Sequence, residues 1–351
     1  MSLESRGNKA VAGNRILQFD ILRCAAMLAV IALHVAAQNW EISFPSTNWT
    51  FSAIYDALVR WGVPVFFMIS GALFLNLSRP LDVKRLYKKN VVRIVCAFLF
   101  WSALYALMNY HGVVSFFSDL IQGPVHFWFL KTLLGLYVVV PILRAVVNDR
   151  KTEEYFLIVA FLTTFIIPWL IALVGCVDLK TMYFLNGNYN LFRLTLATGY
   201  TGYFVLGHYF CTYLVSARVR HFVYGAAVVS FICGIMGTIL LSHHLHRPDI
   251  TFLNELGIFT GFESAAIFLF VMEKGTHVPE RHVPLLLRVS NLSFAIYLVH
   301  VGVIRMLRKV IEISDFSSSY FIPLFAIVVF VVSYLIARLV QLIPGLNKYV
   351  M

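Results

Sequence analysis

Long apolar stretches of about twenty residues recur along the chain, separated by short polar segments. A helix needs about 20 mostly apolar residues to cross the hydrocarbon core of a bilayer. The pattern therefore predicts an all-α polytopic membrane protein with about ten transmembrane helices. The predicted spans are 16–38, 51–76, 88–109, 126–147, 154–175, 197–215, 221–242, 252–272, 290–310 and 319–342.

The first of these spans carries three ionisable side chains in an otherwise apolar run. Arg23 and His34 are eleven residues apart, which in an α-helix is a rise of about 16 Å at almost the same azimuth. Asp20 precedes Arg23 by one turn, where its carboxylate can pair with the guanidinium. Ionisable groups within a membrane usually face a bundle interior or a wet cavity. We therefore expect the helices to surround an intramembrane cavity with this helix as one wall.

Basic residues alternate between the connecting segments. The 77–87 loop is rich in Lys and Arg, whereas the 39–50 and 110–125 loops contain none. Cytoplasmic loops carry the excess of Lys and Arg, so both termini are predicted to be cytoplasmic. Later residues on the same predicted side are Arg144, Arg150, Lys151, Arg218, Arg220, Lys274, Arg281 and Arg288. Three residues at the outer end of the ninth span break the alternation: Arg305, Arg308 and Lys309.

The domain organisation is simple. We predict a cytoplasmic tail at 1–15, one transmembrane domain at 16–343 and a short cytoplasmic tail at 344–351. The apolar run after the first tail is too long for the core of a signal peptide, so the first helix is expected to remain in the mature protein. The longest outer segment, roughly 176–196, either caps an outer cavity or is a plain loop.

Composition narrows the functional class. The chain has 351 residues, of which 60% are hydrophobic and 13% charged, and its mean hydropathy is +0.80. The net charge of +11 follows from the basic loops on one side, and no nucleic-acid-binding motif accompanies it. The five cysteines form neither a CxxC pair nor a metal-binding spacing. These features indicate a multi-pass protein of the cell (inner) membrane, with no nucleic acid as partner.

The trio Asp20, Arg23 and His34 is the main candidate for chemistry. His34 is a candidate general base, Arg23 would orient or stabilise negative charge, and Asp20 would hold Arg23. The alternative is a helix-packing network without a catalytic role. Because three ionisable groups on one span are costly to keep in a membrane, we favour the functional interpretation.

A basic run leads into the third span and has two interpretations. Its cations could anchor the chain to anionic lipid at the membrane surface, or bind a polyanionic cofactor that enters from the cytoplasm. The cofactor-binding candidates are Arg85, Lys88, Lys89 and Arg93. Arg93 is the strongest of them because it lies inside the apolar segment.

Further polar side chains lie within other spans. Ser293, Tyr297 and His300 follow an i, i+4, i+7 pattern and share one helix face. They serve either interhelical hydrogen bonding or substrate contact. The complete set of substrate-binding candidates is His126, Trp128, Glu263, Ser293, Tyr297 and His300. Glu263 in mid-span is a candidate partner for a buried Arg.

Histidines cluster between residues 243 and 250. His244 and Asp249 have an H-x4-D spacing, and His243 and His246 lie beside them. A loop cluster with no further polar support is a weak metal site, and no other metal spacing is present. We expect no metal cofactor.

Four segments in order resemble the acyltransferase 3 family of integral membrane acyltransferases. They are FDxLRxxAxxxVxxxH in the first span, VPVFFMISGALF in the second, HFWFLxxLLxxYxxxP in the fourth and LSFAIYLVH in the ninth. The resemblance covers nearly the whole chain. In length, and in lacking an extracellular hydrolase-like domain, the chain looks most like the stand-alone O-acetyltransferases of the enterobacterial common antigen type.

The resemblance implies transfer of an acyl group, usually acetyl from acetyl-CoA, to a hydroxyl of a glycan or glycolipid. It places the family's essential histidine at His34 and its arginine at Arg23. Many members have an Arg-x2-Arg pair at the start of the third span, where this chain reads KKNVVRI and only Arg93 matches. The implied partners are acyl-CoA as donor, a glycan or lipid-linked saccharide as acceptor, and membrane lipid.

A second functional class also fits ten spans with buried charges. A multi-span transporter or flippase of a glycolipid or anionic substrate would share these features. Transporters often contain inverted repeats and broken helices, and no internal repeat is visible in this sequence. An acyl-CoA-dependent O-acyltransferase with His34 as general base is therefore the leading hypothesis.

Overall fold

The computed structural model of the chain describes residues 16–40, 43–275, 278–311 and 316–346. Within these ranges the chain forms fifteen α-helices and no β-strand. In chain order the helices are α1 (Leu17–Ala36), α2 (Thr47–Val59), α3 (Gly62–Phe74), α4 (Val83–Arg85), α5 (Val92–Met108), α6 (Val113–Gln122), α7 (Trp128–Val146), α8 (Arg150–Phe161), α9 (Ile167–Gly175), α10 (Leu179–Leu191), α11 (Tyr200–Thr212), α12 (Ala217–Leu245), α13 (Ile258–Lys274), α14 (Val283–Leu307) and α15 (Ser318–Gln341).

Polar residues just before the apolar runs fix where several helices begin. The Asp149 carboxylate accepts a hydrogen bond from the amide of Thr152 at 2.9 Å and caps α8. Ser46 and Ser216 cap α2 and α12 in the same way. Short polar side chains at this position satisfy amides that have no partner within the helix.

The first helix is the centre of the bundle. α1 packs against α2, α3, α13, α14 and α15. Its apolar side chains Leu22, Met27 and Ile31 are fully buried. By contrast, α12 and α15 leave long apolar side chains exposed, among them Val228, Ile232, Leu324, Val331 and Leu335. Such faces suit contact with lipid acyl chains.

Eight helical stretches in the described residues are long and apolar enough to cross a membrane. They are Leu17–Ala36, Thr47–Phe74, Val83–Met108, Val113–Val146, Arg150–Gly175, Ala217–Leu245, Glu280–Leu307 and Ser318–Gln341. The class of a polytopic helical membrane protein is thus confirmed. The other two predicted spans, 197–215 and 252–272, correspond to the shorter helices α11 and α13, of 13 and 17 residues. The count of ten and the cytoplasmic placement of both termini stay predictions.

Two segments predicted as connections contain helices. The 110–125 segment forms α6, which packs against α5. The 176–196 segment forms α10, which packs against α9 and has no buried residue. The interpretation of 176–196 as a plain loop was therefore wrong for most of its length. The predicted tails at 1–15 and 344–351 lie outside the described residues except for 344–346.

The second predicted span is broken into two helices. α2 ends at Val59, and α3 begins at Gly62 after a turn at Arg60 and Trp61. Arg60 is buried at this turn and binds the carboxylate of Asp56 through two nitrogens, at 2.5 and 2.7 Å. Its third contact is the carboxylate of Glu255 at 2.9 Å, on the segment before α13. The break is thus held by an ion-pair network across two parts of the chain.

Glycines let α3 and α11 approach backbone to backbone. A Cβ built on Gly71 would lie 1.7 Å from the carbonyl oxygen of Phe204, and one built on Gly207 would lie 2.0 Å from that of Met68. Only a residue without a side chain fits at either position, as in many membrane helix pairs. This contact fixes α3, which forms one wall of the site described next.

Candidate active site

A cavity of about 360 Å³ opens between α1, α3, α5, α7 and α14. Its lining is mostly apolar and aromatic, with polar side chains from each of the five helices or the turns that precede them. The polar lining residues are Arg23, His34, Ser70, Asn90, Arg93, His126, Trp128, Tyr137, Ser293 and Tyr297. An apolar cleft with a few convergent polar groups is the usual form of a small-molecule site.

Arg23 and His34 both line this cavity. The sequence prediction that they share one stripe of the first helix is therefore confirmed. Val30, between them on α1, lines the same cavity. The cavity thus extends along about three turns of α1.

Asp20 lies beside the cavity and not in its lining. It is fully buried and accepts a hydrogen bond from the Ser290 hydroxyl on α14 at 2.5 Å. Arg23 donates to the same oxygen at 3.3 Å, as the one-turn spacing predicts. The carboxylate therefore joins α1 to α14 and holds the Arg23 guanidinium at the cavity wall.

Two guanidinium groups mark one end of the cavity. Arg93 enters from α5, and its guanidinium carbon lies 5.5 Å from the ring centre of Phe294 on α14. Phe74 lines the same cavity, and its carbonyl oxygen accepts a hydrogen bond from Arg144, a residue of the predicted basic side. The cationic end of the cavity therefore lies near the basic loops.

Histidines gather at the other end of the Arg23–His34 stripe. The ring centres of His34 and His126 are 6.2 Å apart, and the ring centre of His300 lies 5.1 Å from each of them. The backbone carbonyl of His126 accepts a 2.5 Å hydrogen bond from the Tyr297 hydroxyl. These three histidines come from α1, α14 and the turn before α7, so the packing of three separate elements creates the cluster.

Some predicted site residues lie outside the cavity lining. Arg85, Lys88 and Lys89 are exposed on the helical segment, α4 and the π-helical stretch after it, that leads to Asn90 and Arg93. The structure therefore does not bring these three cations into the cavity, because their side chains are exposed on this helical segment. His300 is fully buried behind the lining and reaches the cavity only through its neighbours.

Glu263 also lies apart from the cavity. It is buried on α13, and the only buried arginine nearby pairs elsewhere in the described residues, since Arg60 binds Asp56 and Glu255. The charge of Arg60 acts on Glu263 without a direct ion pair between them, so the expected pairing of Glu263 with a buried Arg stays a prediction. Its place among the substrate-binding candidates has no support from the geometry.

The sequence reasoning missed several lining residues, among them Asn90, Tyr137 and Phe294. Asn90 precedes Arg93 by one turn and faces the same cavity, a spacing that could have identified it. Tyr137 is the tyrosine of the HFWFLxxLLxxYxxxP segment. Phe294 follows Ser293 directly and had no signal of its own, because its role depends on the packing of Arg93 against its ring.

The described residues contain no group of three or more His, Cys, Asp or Glu side chains placed to hold a metal ion. The cluster of His34, His126 and His300 is therefore not arranged to hold a metal ion. His243, in the second histidine group, packs its ring against Phe44 and Trp49 instead. None of the five cysteines, all in the described part of the chain, forms a disulfide.

The arrangement combines two chemical functions in one cavity. The guanidinium groups of Arg23 and Arg93 can bind an anionic ligand such as a phosphate. The imidazole of His34 can accept a proton from a hydroxyl group. A ligand that is anionic at one end and reactive at the other would fit along the stripe between them.

Comparison with known proteins identifies one family. A model of an acyltransferase domain, acyltransferase 3, matches residues 16–338. No curated protein and no solved structure gives a significant match to this chain.

Proposed function

Since the chain belongs to the acyltransferase 3 family, with the family model covering most of its length, we propose that it is a membrane-bound O-acyltransferase. It transfers an acetyl or similar acyl group from cytoplasmic acyl-CoA to a hydroxyl of a cell-envelope glycan or glycolipid. Membership of an acyltransferase family favours this function over the transport of a glycolipid or anion.

One observation carries the proposal: a single cavity joins two guanidinium groups to the His34 imidazole. Arg23 and His34 are separated by about 16 Å along α1. This distance suits a donor whose phosphates bind at one end while an extended arm carries the thioester to the other. Arg23 and Arg93 supply the cations, and the apolar walls accommodate the arm.

In the proposed reaction His34 acts as general base. It accepts the proton of the acceptor hydroxyl as that oxygen attacks the thioester carbonyl. The carbon–sulfur bond breaks as the new carbon–oxygen bond forms, and the proton then passes from His34 to the departing thiolate. The products are the acyl ester and free CoA.

The placement of the donor follows from the predicted orientation. Arg144 and the 77–87 loop lie near the cationic end of the cavity, and basic loops are expected in the cytoplasm. Acyl-CoA would then enter from the cytoplasm and the saccharide acceptor would approach the histidine end from the opposite side. Both expectations belong to the proposal.

The experiment measures loss of the thioester by the purified protein in detergent. Acetyl-CoA is mixed with a lipid-linked saccharide fraction from cells that lack the gene, and released CoA is followed with a thiol reagent. We expect release that depends on the saccharide, together with a mass increase of one acetyl unit on the glycan. Because a general base contributes about 10²–10⁴-fold to rate, His34→Ala should lower turnover by at least about 10²-fold.

A matched control is His244→Ala, which removes an exposed histidine outside the cavity and should leave turnover unchanged. Normal turnover in His34→Ala would remove His34 from the mechanism. A second result would favour the transporter hypothesis over the transferase hypothesis. In that case the unmodified protein would cause no thioester loss but would move the saccharide across a vesicle membrane.

A further inference from the structure

A contact in the structure fixes the protonation pattern of His300. Its Nδ1 lies 2.6 Å from the backbone carbonyl oxygen of Tyr297. A carbonyl oxygen can only accept a hydrogen bond, so Nδ1 carries the hydrogen. In the neutral ring the lone pair is then on Nε2.

That Nε2 atom is buried and has no hydrogen-bond partner among the described residues. His300 as a whole is fully buried. A buried polar atom without a partner destabilises the fold, so its presence in the core needs an explanation. Around this ring lie His34 of α1, His126 of the turn before α7 and, on its own helix, Tyr297.

His34 and His126 are both close enough to be the missing partner, because each ring centre lies 5.1 Å from that of His300. This distance is close to an N–H···N hydrogen bond of about 3 Å plus the distance from each ring centre to its nitrogen. We choose His34 because it is the base of the proposed reaction. A small rotation of the His34 side chain would therefore bring one of its nitrogens to Nε2 of His300. His34 also lines the cavity, which His300 does not.

We propose that His300 is a positioning residue for His34, a role that rests on the proposed function. Its Nε2 accepts a hydrogen bond from the N–H of His34. This contact fixes which His34 nitrogen carries the hydrogen and turns the other, unprotonated nitrogen toward the cavity. A base held by a second group in this way is the general arrangement of an activated acid–base pair.

His34 begins with one hydrogen, on the nitrogen that faces His300, and receives the acceptor proton on the nitrogen that faces the cavity. The resulting cation is stabilised by the lone pair of His300. The cavity-facing proton then goes to the thiolate sulfur, so both histidines return to their neutral forms and His300 never changes its protonation.

Two isosteric substitutions separate the two nitrogens of His300. In His300→Asn the amide nitrogen occupies the place of Nδ1 and can still donate to the Tyr297 carbonyl, but nothing occupies the place of Nε2. In His300→Gln the longer amide reaches the place of Nε2, and its oxygen can accept from His34. Both variants keep a polar, uncharged side chain.

The measurement is steady-state CoA release from acetyl-CoA with the same saccharide fraction. For His300→Asn we expect kcat to fall by about 10²-fold while KM for acetyl-CoA changes less than about twofold, since the cations that bind the donor are untouched. For His300→Gln we expect kcat within about fivefold of the unmodified protein, because the acceptor atom is restored. Elution as a single species on size exclusion verifies that each variant folds.

Two results would overturn the role of His300 alone: an unchanged kcat in His300→Asn, or equal losses of kcat in both folded variants. If His300→Asn does not fold, His300→Gln decides, because activity near normal supports the role and a loss of kcat contradicts it. Absence of transfer by the unmodified protein, in contrast, would overturn the proposed function itself.

Discussion

Asp20 shows how one buried carboxylate organises the residues around the cavity. Its Oδ1 accepts hydrogen bonds from Ser290 on α14 and from Arg23 on its own helix. The pair with Arg23 follows from the one-turn spacing in the sequence. The bond to Ser290 joins residues 270 positions apart, and no local pattern could have predicted it.

We predict that Asp20→Ala destabilises the protein. The substitution leaves the buried Ser290 hydroxyl without its acceptor and removes the negative partner of Arg23, so the free energy of unfolding should fall by about 1–3 kcal/mol. Thermal unfolding in detergent measures the change. A suitable control is Glu154→Ala, which removes an exposed ion pair with Arg150 and a hydrogen bond from the Tyr209 hydroxyl and should cost about 1 kcal/mol or less. Equal stability of the two variants would contradict the structural role of Asp20.

For single residues, the sequence predicted which side chains share a helix face better than it predicted which of them reach the cavity. Helical periodicity placed Arg23 and His34 on one stripe, and both line the cavity. The same reasoning grouped Ser293, Tyr297 and His300 on one face, but only the first two reach the cavity. Whether a side chain lines a cavity or lies behind it depends on the neighbouring helices, which periodicity within one helix does not describe.

Helix contacts in this bundle depend on a few backbone features. Gly71, in the VPVFFMISGALF segment, lies against the backbone of α11. The second span, predicted as the continuous stretch 51–76, is broken at Arg60 and Trp61. The position of the break is set by the bonds of Arg60 to Asp56 and to the distant Glu255, and the latter is invisible in the local sequence.

We predict that Gly71→Ala separates α3 from α11 and weakens the fold. The added Cβ would meet the Phe204 carbonyl oxygen at 1.7 Å, so the backbones must move apart, at a cost of at least about 1–3 kcal/mol. The matched control is Gly225→Ala on α12, where no atom lies within 4 Å of the added Cβ. That substitution should be neutral or stabilising by up to about 1 kcal/mol. Unfolding midpoints of the two variants in one detergent test the difference, and equal midpoints would contradict the close contact.

On the scale of the whole molecule, apolar run length predicted the class of protein and most of the spans. It treated α11 and α13 as spans of the usual kind, although both are shorter than the eight stretches that meet the length and hydropathy of a membrane helix in the described residues. Run length cannot distinguish a helix that faces lipid from one buried among other helices, because both are apolar.

We predict that the 77–87 loop is cytoplasmic and the 39–50 loop is on the opposite side. In a background without native cysteines, Thr47→Cys should react in intact cells with a maleimide that cannot cross the membrane. Ser78→Cys should react only after the membrane is permeabilised, because basic loops stay in the cytoplasm. Both positions are exposed. The reverse pattern of labelling would invert the orientation and with it the side from which the donor enters.

The short helix α11 has a consequence for how the protein responds to its membrane. Its 13 residues rise only about 20 Å, against about 30 Å of hydrocarbon. Most of its side chains are covered by α3, α7, α8 and α13, so acyl chains do not set its length. Thicker or thinner bilayers tilt the helices that face lipid. A change in bilayer thickness therefore does not act directly on α11. The cavity wall formed by α3, which packs against α11, can keep its shape as lipid composition changes.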